Sequence, residues 1–598
     1  MNIINDVKAK LAGLKYADYF QCLNEIEKFS SLAELKPLKV AILRSYTADL
    51  IEPVLKVRLY VEGYNPEFFW GHFNQFSQEI LDEESYLYKY NPDLILLLIR
   101  IDDLLPHFVF NYGERSVETW SEEIDGLANH IINLLDVLNM HSSSQVILQN
   151  MSLTRQPYWG IFDSQSGNNQ LALVYKLNQA LRLACETRPN SFLWDFDNFV
   201  SKYGSNNLYD AKAWYISRNP YKQSAYVNMG ANIIRYILSA LGSGKKCIVL
   251  DLDNTLWGGI IGEDGMDGIA LGQDYPGSCY VDFQKELLKF YNRGIILAIN
   301  SKNNETDAFD VIDNHPYMVL RRKHFAAYAI NWNDKASNLQ ALADELNIGI
   351  DSMIMIDDNP VECELIRQQC PQCLVIQLPV RPYLIPSVFD NCPEMENIRL
   401  TEEDKKKGVM YQQQLERKKL ESTTSDLGDY LRALNIQIEI KVADTFSIPR
   451  IAQLTQKTNQ FNMTTRRYTE ADIVQFVGSK HSHVYSISAT DRFGDNGIIG
   501  VVIFHIEDER CTIDTFLLSC RVIGRTIEQS IVAFVAEYAK ENGAKTLIGE
   551  FFPTAKNKPA SDVYEKMNFI KVSDNKFVAD LIKQSIEYSP FVVHKIVN

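Results

Sequence analysis

Two acidic side chains, Asp251 and Asp253, leave the apolar run Cys247-Ile-Val-Leu250 and enter the glycine-bearing turn Asn254-Thr-Leu-Trp-Gly-Gly259. Carboxylates at i and i+2, released together from the end of a buried strand, repel one another unless a cation or phosphoryl chemistry makes use of them. Phosphoryl transfer gives the pair a division of labour: the first carboxylate attacks phosphorus, while the second donates a proton to the leaving group and later activates water. Three further features stand at the mouths of apolar runs or helices. They are Ser301 in Ile299-Asn-Ser-Lys-Asn303, Lys335 in Asn333-Asp-Lys335, and Asp357 with Asp358 in Met355-Ile-Asp-Asp-Asn-Pro360. Several carboxylates and a phosphate repel one another, and a bound cation converts that repulsion into a clamp on developing charge.

The ordered set Asp, Ser, Lys, Asp in these settings resembles the haloacid dehalogenase (HAD) superfamily of Mg-dependent phosphotransferases. The resemblance implies that Asp251 is the nucleophile and Asp253 the general acid/base. Ser301 would hydrogen-bond the transferring phosphoryl group, Lys335 would offset the charge of the aspartyl-phosphate, and Thr255 and Asn303 would line the substrate side. Mg²⁺ would sit among Asp251, the backbone carbonyl of Asp253 and the acidic pair, most directly Asp357, with Asp358 the alternative. The phrase from Asp253 to Gly265, with Ser301-Lys-Asn-Asn304 and Asp357-Asp-Asn-Pro360, resembles the FkbH-like branch, subfamily IIIC. FkbH-like proteins are associated with taking a glyceryl unit from 1,3-bisphosphoglycerate, removing phosphate, and loading the acyl group on the phosphopantetheine thiol of an acyl carrier protein. After Trp257 the chain reads as a hairpin or flap, and the short interval to the next helix leaves no room for a large cap, so any larger cover must come from elsewhere.

These groups need scaffolds to hold them. A chain of 598 residues exceeds one core and divides at typical sizes into about three or four units. Residues 1–240 alternate buried-strand runs (39–45, 93–100, 145–149) with helical stretches such as 118–138, as in an α/β layer with a parallel sheet. Residues 241–400 repeat the alternation, with strands expected at 247–250, 294–300, 353–356 and 373–378 and helices at 280–292 and 336–346. This is a compact doubly wound, Rossmann-like unit whose strand ends should carry the site. Residues 401–426 are rich in mixed charge and poor in large apolar residues, the pattern of a solvated connecting helix. Residues 427–598 mix helices with β-rich runs at 483–489, 497–505 and 511–518, an α+β domain. The fold class is therefore α/β multidomain.

In the last domain Phe516-Leu-Leu-Ser-Cys520-Arg521-Val-Ile-Gly524-Arg525-Thr526 resembles the acyl-CoA-binding turn of the GNAT acetyltransferases, whose backbone N–H groups face pyrophosphate at a helix N-terminus. Thr526 stands where Gly or Ala is usual. Tyr564-Glu-Lys-Met-Asn-Phe569 resembles that fold's later Tyr-x-x-x-Gly-Phe element, with Asn568 for Gly. Cys520, before a helix start and beside Arg521 and Arg525, is a candidate acyl-thioester nucleophile, with a buried structural cysteine as the alternative. The polar segment with Asn459, Asn462 and Arg466 is either a helix C-terminus and turn or a binding wall for substrate or the phosphopantetheine arm. The first domain weakly resembles SGNH hydrolases, with Ser45 after the first strand. Asp210-Ala-Lys-Ala-Trp214 supplies an acid without a histidine, so the expectation is a non-catalytic docking or lid domain.

The formal net charge of −16 excludes a nucleic-acid surface as the main function, because phosphate binding needs a concentrated basic face. No basic leader with a long apolar run and no bilayer-length stretch is present, which reads as a cytoplasmic protein with no membrane partner. The ten cysteines read as thiols. Cys370-Pro-Gln-Cys373, with Cys363 and Cys392, lacks the partners of a zinc site, and buried structural thiols are favoured. The expected function is a Mg²⁺-dependent phosphatase coupled to acyl transfer, with an acyl carrier protein as partner and carrier-bound phosphopantetheine or acyl-CoA as second cofactor. The alternative is a phosphatase of a small phosphorylated metabolite, a sugar phosphate among them, flanked by an N-acyltransferase or by binding domains.

Overall fold

Strands that run apolar on every residue must be covered on both faces, and the chain builds two such parallel sheets before a third, mixed one. The computed structural model describes residues 2–28, 32, 34–167, 169–390, 392–424 and 426–597. Met1, and Ser425 within the expected connector, lie outside the described residues. The chain falls into two compact units, Met1–Leu241 and Gly242–Asn598.

In the first unit β1 (Lys36–Arg44), β2 (Tyr64–Trp70), β3 (Leu94–Leu98), β4 (Gln145–Gln149) and β5 (Ser191–Trp194) form a sheet in the order β2-β1-β3-β4-β5. Every neighbouring pair is parallel. The helix Val117–His141 starts where the Ser116 hydroxyl accepts from the Thr119 N–H, and buries Trp120, Ile124, Ile131, Leu134 and Leu138 at helical spacing.

The second unit opens on the sheet that carries the acidic motif. Its strands are β6 (Cys247–Leu250), β7 (Ile296–Ser301), β8 (Phe325–Ile330), β9 (Met353–Asp357) and β10 (Leu374–Gln377), in the order β10-β9-β6-β7-β8. Residues of β6, β7 and β9 are buried throughout. Alternation sends Ile248 and Leu250 into one core and Cys247 and Val249 into the other. The strand order reverses between β6 and β9, so the crevice at their carboxyl ends is the switch point at which such sheets take ligands.

The third sheet contains β11 (Ile436–Val442), β12 (Phe461–Asn462), β13 (Ser482–Asp491), β14 (Gly494–Glu507), β15 (Arg510–Leu518), β16 (Thr546–Glu550), β17 (Ile570–Ser573), β18 (Lys576–Asp580) and β19 (Val592–Val597). The β13-β14-β15 pairs are antiparallel, whereas β15–β16 and β11–β19 are parallel. The helix Ile527–Glu541 packs its apolar face on this sheet.

The charged stretch after residue 400 is the helix Glu402–Thr423, but it is not solvated along its length. Asp404, Met410, Tyr411 and Arg417 are buried. Arg417 makes a two-pronged pair with Asp491 through Nε (2.7 Å) and Nη2 (2.8 Å), both side chains being 1% exposed. Arg525 adds a contact of 3.3 Å to the same carboxylate. Composition counted the charges correctly; it could not show that Arg417 and Asp404 face inward while Lys405 and Lys406 face water.

Breaking this pair should expose its cost. Burial alone would raise the Asp491 carboxyl, yet the Arg417 guanidinium overrides it and holds the group below its ordinary value. Arg417→Ala, leaving the buried carboxylate only the longer Arg525 contact, is expected to lose about 3–5 kcal/mol in urea denaturation, and Arg417→Met with Asp491→Leu to recover most of it. The depressed pKa makes the pair's contribution complete above about pH 4 and lost as pH falls through the lower folded value.

Candidate active site

The turn after β6 begins the site. Asn254 takes a left-handed conformation (φ 53°), which asparagine tolerates better than most residues, and its Oδ1 accepts from the Gly259 N–H at 2.8 Å. The turn thereby presents Asp251 and Asp253 at the carboxyl end of the strand. The following segment is a short helix, Ile261–Gly268, bent at Gly265, rather than the expected hairpin. Asp264 accepts from the Ile260 N–H at its start (2.8 Å) and forms the helix entry.

Lys335 is the first residue of the helix Lys335–Leu346, whose N-cap Asp334 accepts from the Ala336 N–H. Its ammonium lies 2.8 Å from Asp251 Oδ2 and 2.6 Å from Asp357 Oδ2, joining the two strands that flank the switch point. Lys335 is 3% exposed and Asp357 0%. Burial would lower the lysine pKa, but the paired carboxylates outweigh it and hold the group raised, fully charged. The Lys335 carbonyl accepts from Asn300 Nδ2 (2.8 Å), and Asn300 Oδ1 accepts from Asn338 (3.2 Å), a buried ladder that fixes where the lysine starts.

Asp251, Asp357 and Asp358 each bring a carboxylate oxygen within 4.8 Å of the others, the one such cluster of metal-binding side chains among the described residues. Burial, with repulsion from Asp251 and Asp357, pushes Asp358 up to about 6. Three carboxylates against one ammonium leave a surplus of negative charge in a hard-oxygen site, which fits a divalent cation such as Mg²⁺. Asp253 stands apart from the Lys335 pair. Its Oδ1 accepts from Trp257 Nε1 (2.9 Å) and the Ile261 N–H (3.1 Å), and its Oδ2 from Asn303 Nδ2 (3.0 Å). Ser301 ends β7, 1% exposed, and Lys302 beside it pairs with Glu362 at 2.6 Å.

Residues 39–237 match the family model FkbH, N-terminal domain. The chain is also similar to the N-terminal part of the protein BF1531 from Bacteroides fragilis, a structure containing a phosphatase domain complexed with Mg. The two share 28% identity with a TM-score of 0.57, over 65% of this chain and 100% of that one. Smaller likenesses run to the ribosomal-protein-S18-alanine N-acetyltransferase from Escherichia coli (12% identity, 24% of this chain, 90% of that chain, TM-score 0.19). The spermidine N-acetyltransferase from Vibrio cholerae is similar at 11% identity (25% of this chain, 97% of that chain, TM-score 0.21). Scores that low carry no argument. No curated protein matches the chain.

The structure brings Asp251, Asp253, Ser301, Asn303, Lys335, Asp357 and Asp358 to the ends of β6, β7 and β9 and the helix beside them. It gives the remaining candidates different surroundings. Thr255 is fully buried with its hydroxyl unpaired. Asn459 accepts from Arg467, Asn462 is spent on Thr458 and Thr465, and Arg466 is held by Asp514 and Glu550 (3.0 Å to the latter). Arg521 and Arg525 are buried and directed at Met410 (2.7 Å) and Gln414 (2.7 Å) of the helix Glu402–Thr423. Gly524 takes a positive φ of 81° with open space around it.

Cys520 lies at the opposite edge of the central sheet. Its carbonyl accepts from Asn347 Nδ2 at 2.6 Å, and it packs against the core cluster that contains Cys247 and Met353, the first residues of β6 and β9. Asn347 follows the helix that Lys335 begins, and the 12 residues of that helix span about 18 Å at 1.5 Å each.

In the first unit Ser45 donates to Asp103 (2.8 Å) and accepts from the Arg100 N–H (3.1 Å), while Asp210 caps the helix Ala211–Ser217. The Cys363, Cys370 and Cys373 thiols face backbone carbonyls. All ten cysteines are free. Among the described residues no helix is long and apolar enough to cross a membrane.

Removing one ligand charge from the cluster should weaken cation binding directly. Asp357→Asn and Asp358→Asn are each expected to raise the Kd for Mg²⁺ about tenfold or more by calorimetry; affinities equal to the parent in both would place the cation elsewhere.

Proposed function

We propose that the chain is a Mg²⁺-dependent phosphatase of the haloacid dehalogenase type, acting through an aspartyl-phosphate on Asp251. The observation that carries this reading is the Lys335 ammonium held between Asp251 and Asp357 at 2.8 and 2.6 Å. It is supported by the similarity to a solved phosphatase domain that binds Mg. Lys335 holds Asp251 close to where a phosphoryl group would arrive, and its ammonium offsets the charge that Asp251 and Asp357 bring together. Asp253 supplies the proton to the leaving group and later receives one from water. Ser301 offers a hydroxyl to the phosphoryl oxygens from the end of β7. Asp251, Asp357 and Asp358, with the Asp253 carbonyl, would hold Mg²⁺, which when bound offsets charge on the phosphoryl oxygens.

The finer reading is FkbH-like. The domain match over residues 39–237 supports that kinship, and the motif phrases around Asp253, Ser301 and Asp357 agree with it. On this reading an acyl phosphate, 1,3-bisphosphoglycerate, gives its glyceryl group to a thiol, Cys520 in the GNAT-like domain being the candidate. The phosphatase centre removes phosphate, and the acyl group passes to the phosphopantetheine thiol of an acyl carrier protein. Cys520 and Lys335 are set at opposite ends of one helix, so the acyl and phosphate steps call for a mobile carrier arm that visits each edge in turn. The SGNH-like first unit, with Ser45 hydrogen-bonded to a carboxylate, serves as a docking domain. Arg521 and Arg525 are taken up by the helix Glu402–Thr423, which favours the carrier-linked reading over an acyl-CoA site built on those guanidinium groups.

Two measurements test the two levels. Asp251→Asn should lower phosphate release by about 10³-fold or more; release at the parental rate would sink the phosphatase reading. With 1,3-bisphosphoglycerate, Mg²⁺ and holo carrier protein, intact mass should show a glyceryl adduct on the carrier that disappears in Cys520→Ala. Persistence of the adduct in that variant would remove Cys520 from the reaction and leave the phosphatase intact.

A further inference from the structure

We propose that Trp257 is a positioning residue for phosphoryl transfer: with the Ile261 N–H it fills Asp253 Oδ1, so that Asp253 Oδ2 is the atom that gives and takes the proton. The inference rests on the phosphatase reading above and assigns a task inside it.

An ionised carboxylate offers about four lone-pair directions. Both on Asp253 Oδ1 are occupied, by the Trp257 indole N–H at 2.9 Å and the Ile261 backbone N–H at 3.1 Å. On Oδ2 one is occupied, by Asn303 Nδ2 at 3.0 Å. The Asn303 amide is itself oriented, because its Oδ1 accepts from the Asn304 N–H at 2.9 Å. One direction remains, on Oδ2. The terminal torsion of aspartate is broad and roughly two-fold when free, so these donors decide which oxygen faces the substrate.

Trp257 is suited to hold that orientation. It is 0% exposed, packed in the core with Tyr280 and Phe283, and its one polar atom is the N–H that reaches Asp253. The turn cannot drift. Trp257 bridges to Asp253 along the backbone, Gly258 bridges to Ala270, and Gln284 Nε2 donates to the Leu256 carbonyl at 2.8 Å. A side chain at Gly258 would strike the Tyr280 ring, at 2.8 Å from its Cβ. Asn303, expected from sequence on the substrate side, instead spends its amide on the same carboxylate.

As an Asp251 oxygen bonds to phosphorus and the P–O bond to the leaving group breaks, the proton on Asp253 Oδ2 moves to the departing oxygen. Water next attacks the aspartyl-phosphate at phosphorus, its proton passes to Oδ2, phosphate leaves, and the Asp251 carboxylate returns.

A leaving group that is stable as an anion needs no proton, whereas an alkoxide does, and this difference separates positioning from general damage. Trp257→Phe keeps an aromatic ring and deletes the donor. With 3-phosphoglycerate, an alkyl phosphate, kcat/KM, which reads only the departure of the leaving group, should fall about 10–100-fold. With 4-nitrophenyl phosphate kcat/KM should fall less than about threefold, while kcat, which includes the shared hydrolysis through Oδ2, falls with both esters. Ile261→Pro deletes the other donor to Oδ1 at the first helical position, where proline fits and where Ile260 before it is already extended. It should show the same selectivity, and gives a second route if Trp257→Phe does not fold. Equal losses of kcat/KM on both substrates would overturn the proposal while leaving the phosphatase reading standing. A parent protein that hydrolyses neither ester would overturn both.

Discussion

One buried ammonium holds the central domain's chemistry together. Asp251 and Asp357 leave neighbouring strands on either side of the point where sheet order reverses, and both side chains are buried, where like charges need a partner. Lys335 reaches both at hydrogen-bond distance. Because it starts a helix, its own position depends on the Asp334 cap, and because Asn300 grips its carbonyl, on the end of β7 as well. The lysine therefore ties β6, β7, β9 and one helix to a single electrostatic condition. It leaves part of the negative charge uncompensated, and the Asp358 carboxyl, pushed up to about 6 by burial and by Asp251 and Asp357, records the remainder. A cation would complete the neutralisation that one lysine begins.

Much of this was legible in the sequence because the responsible features are local. The unbroken apolar runs of β6, β7 and β9 can only be buried strands, and the side chains at their ends follow within one or two residues, so spacing locates Asp251, Ser301 and Asp357. The helix after Lys335 is equally local, with Asp334 standing as its cap. Trp257 was less visible. Its indole points at a residue four positions earlier only because Asn254 turns left-handed and Gly258 lets Tyr280 close in, and a Trp in an apolar turn reads by default as core, which it also is.

Two features depended on tertiary partners that no spacing encodes. The helix Glu402–Thr423 has the composition of a solvated connector, but Arg417 meets Asp491, 74 positions away in sequence, and is buried against it. The polar turn near Asn459 and Arg466 has the composition of a binding wall. The Asn459 oxygen is taken up by Arg467, the Asn462 amide by Thr458 and Thr465, and the Arg466 guanidinium by Asp514 and Glu550. In both cases the side-chain types were right for two outcomes, and the deciding quantity was whether a buried partner stood within about 3 Å.

The placement of Cys520 has a stronger consequence. The domain built on β11–β19 is fastened to the amino edge of the central sheet by Asn347 to the Cys520 carbonyl, Lys246 Nζ to the Lys457 carbonyl, and Lys556 to Asp351 at 2.6 Å. Those contacts consume the edge opposite the carboxylates. A thiol and a phosphatase centre at opposite ends of one helix cannot act on the same atom group without movement, since about 18 Å of helix separates Lys335 from the residue that touches Cys520. Covalent attachment to a long flexible arm solves that separation by raising the local concentration of one substrate at both sites. A free small metabolite would have to be released and recaptured between steps. On the reading proposed above, in which the Cys520 thiol carries the acyl group, this separation favours a substrate tethered to a carrier arm over a free one.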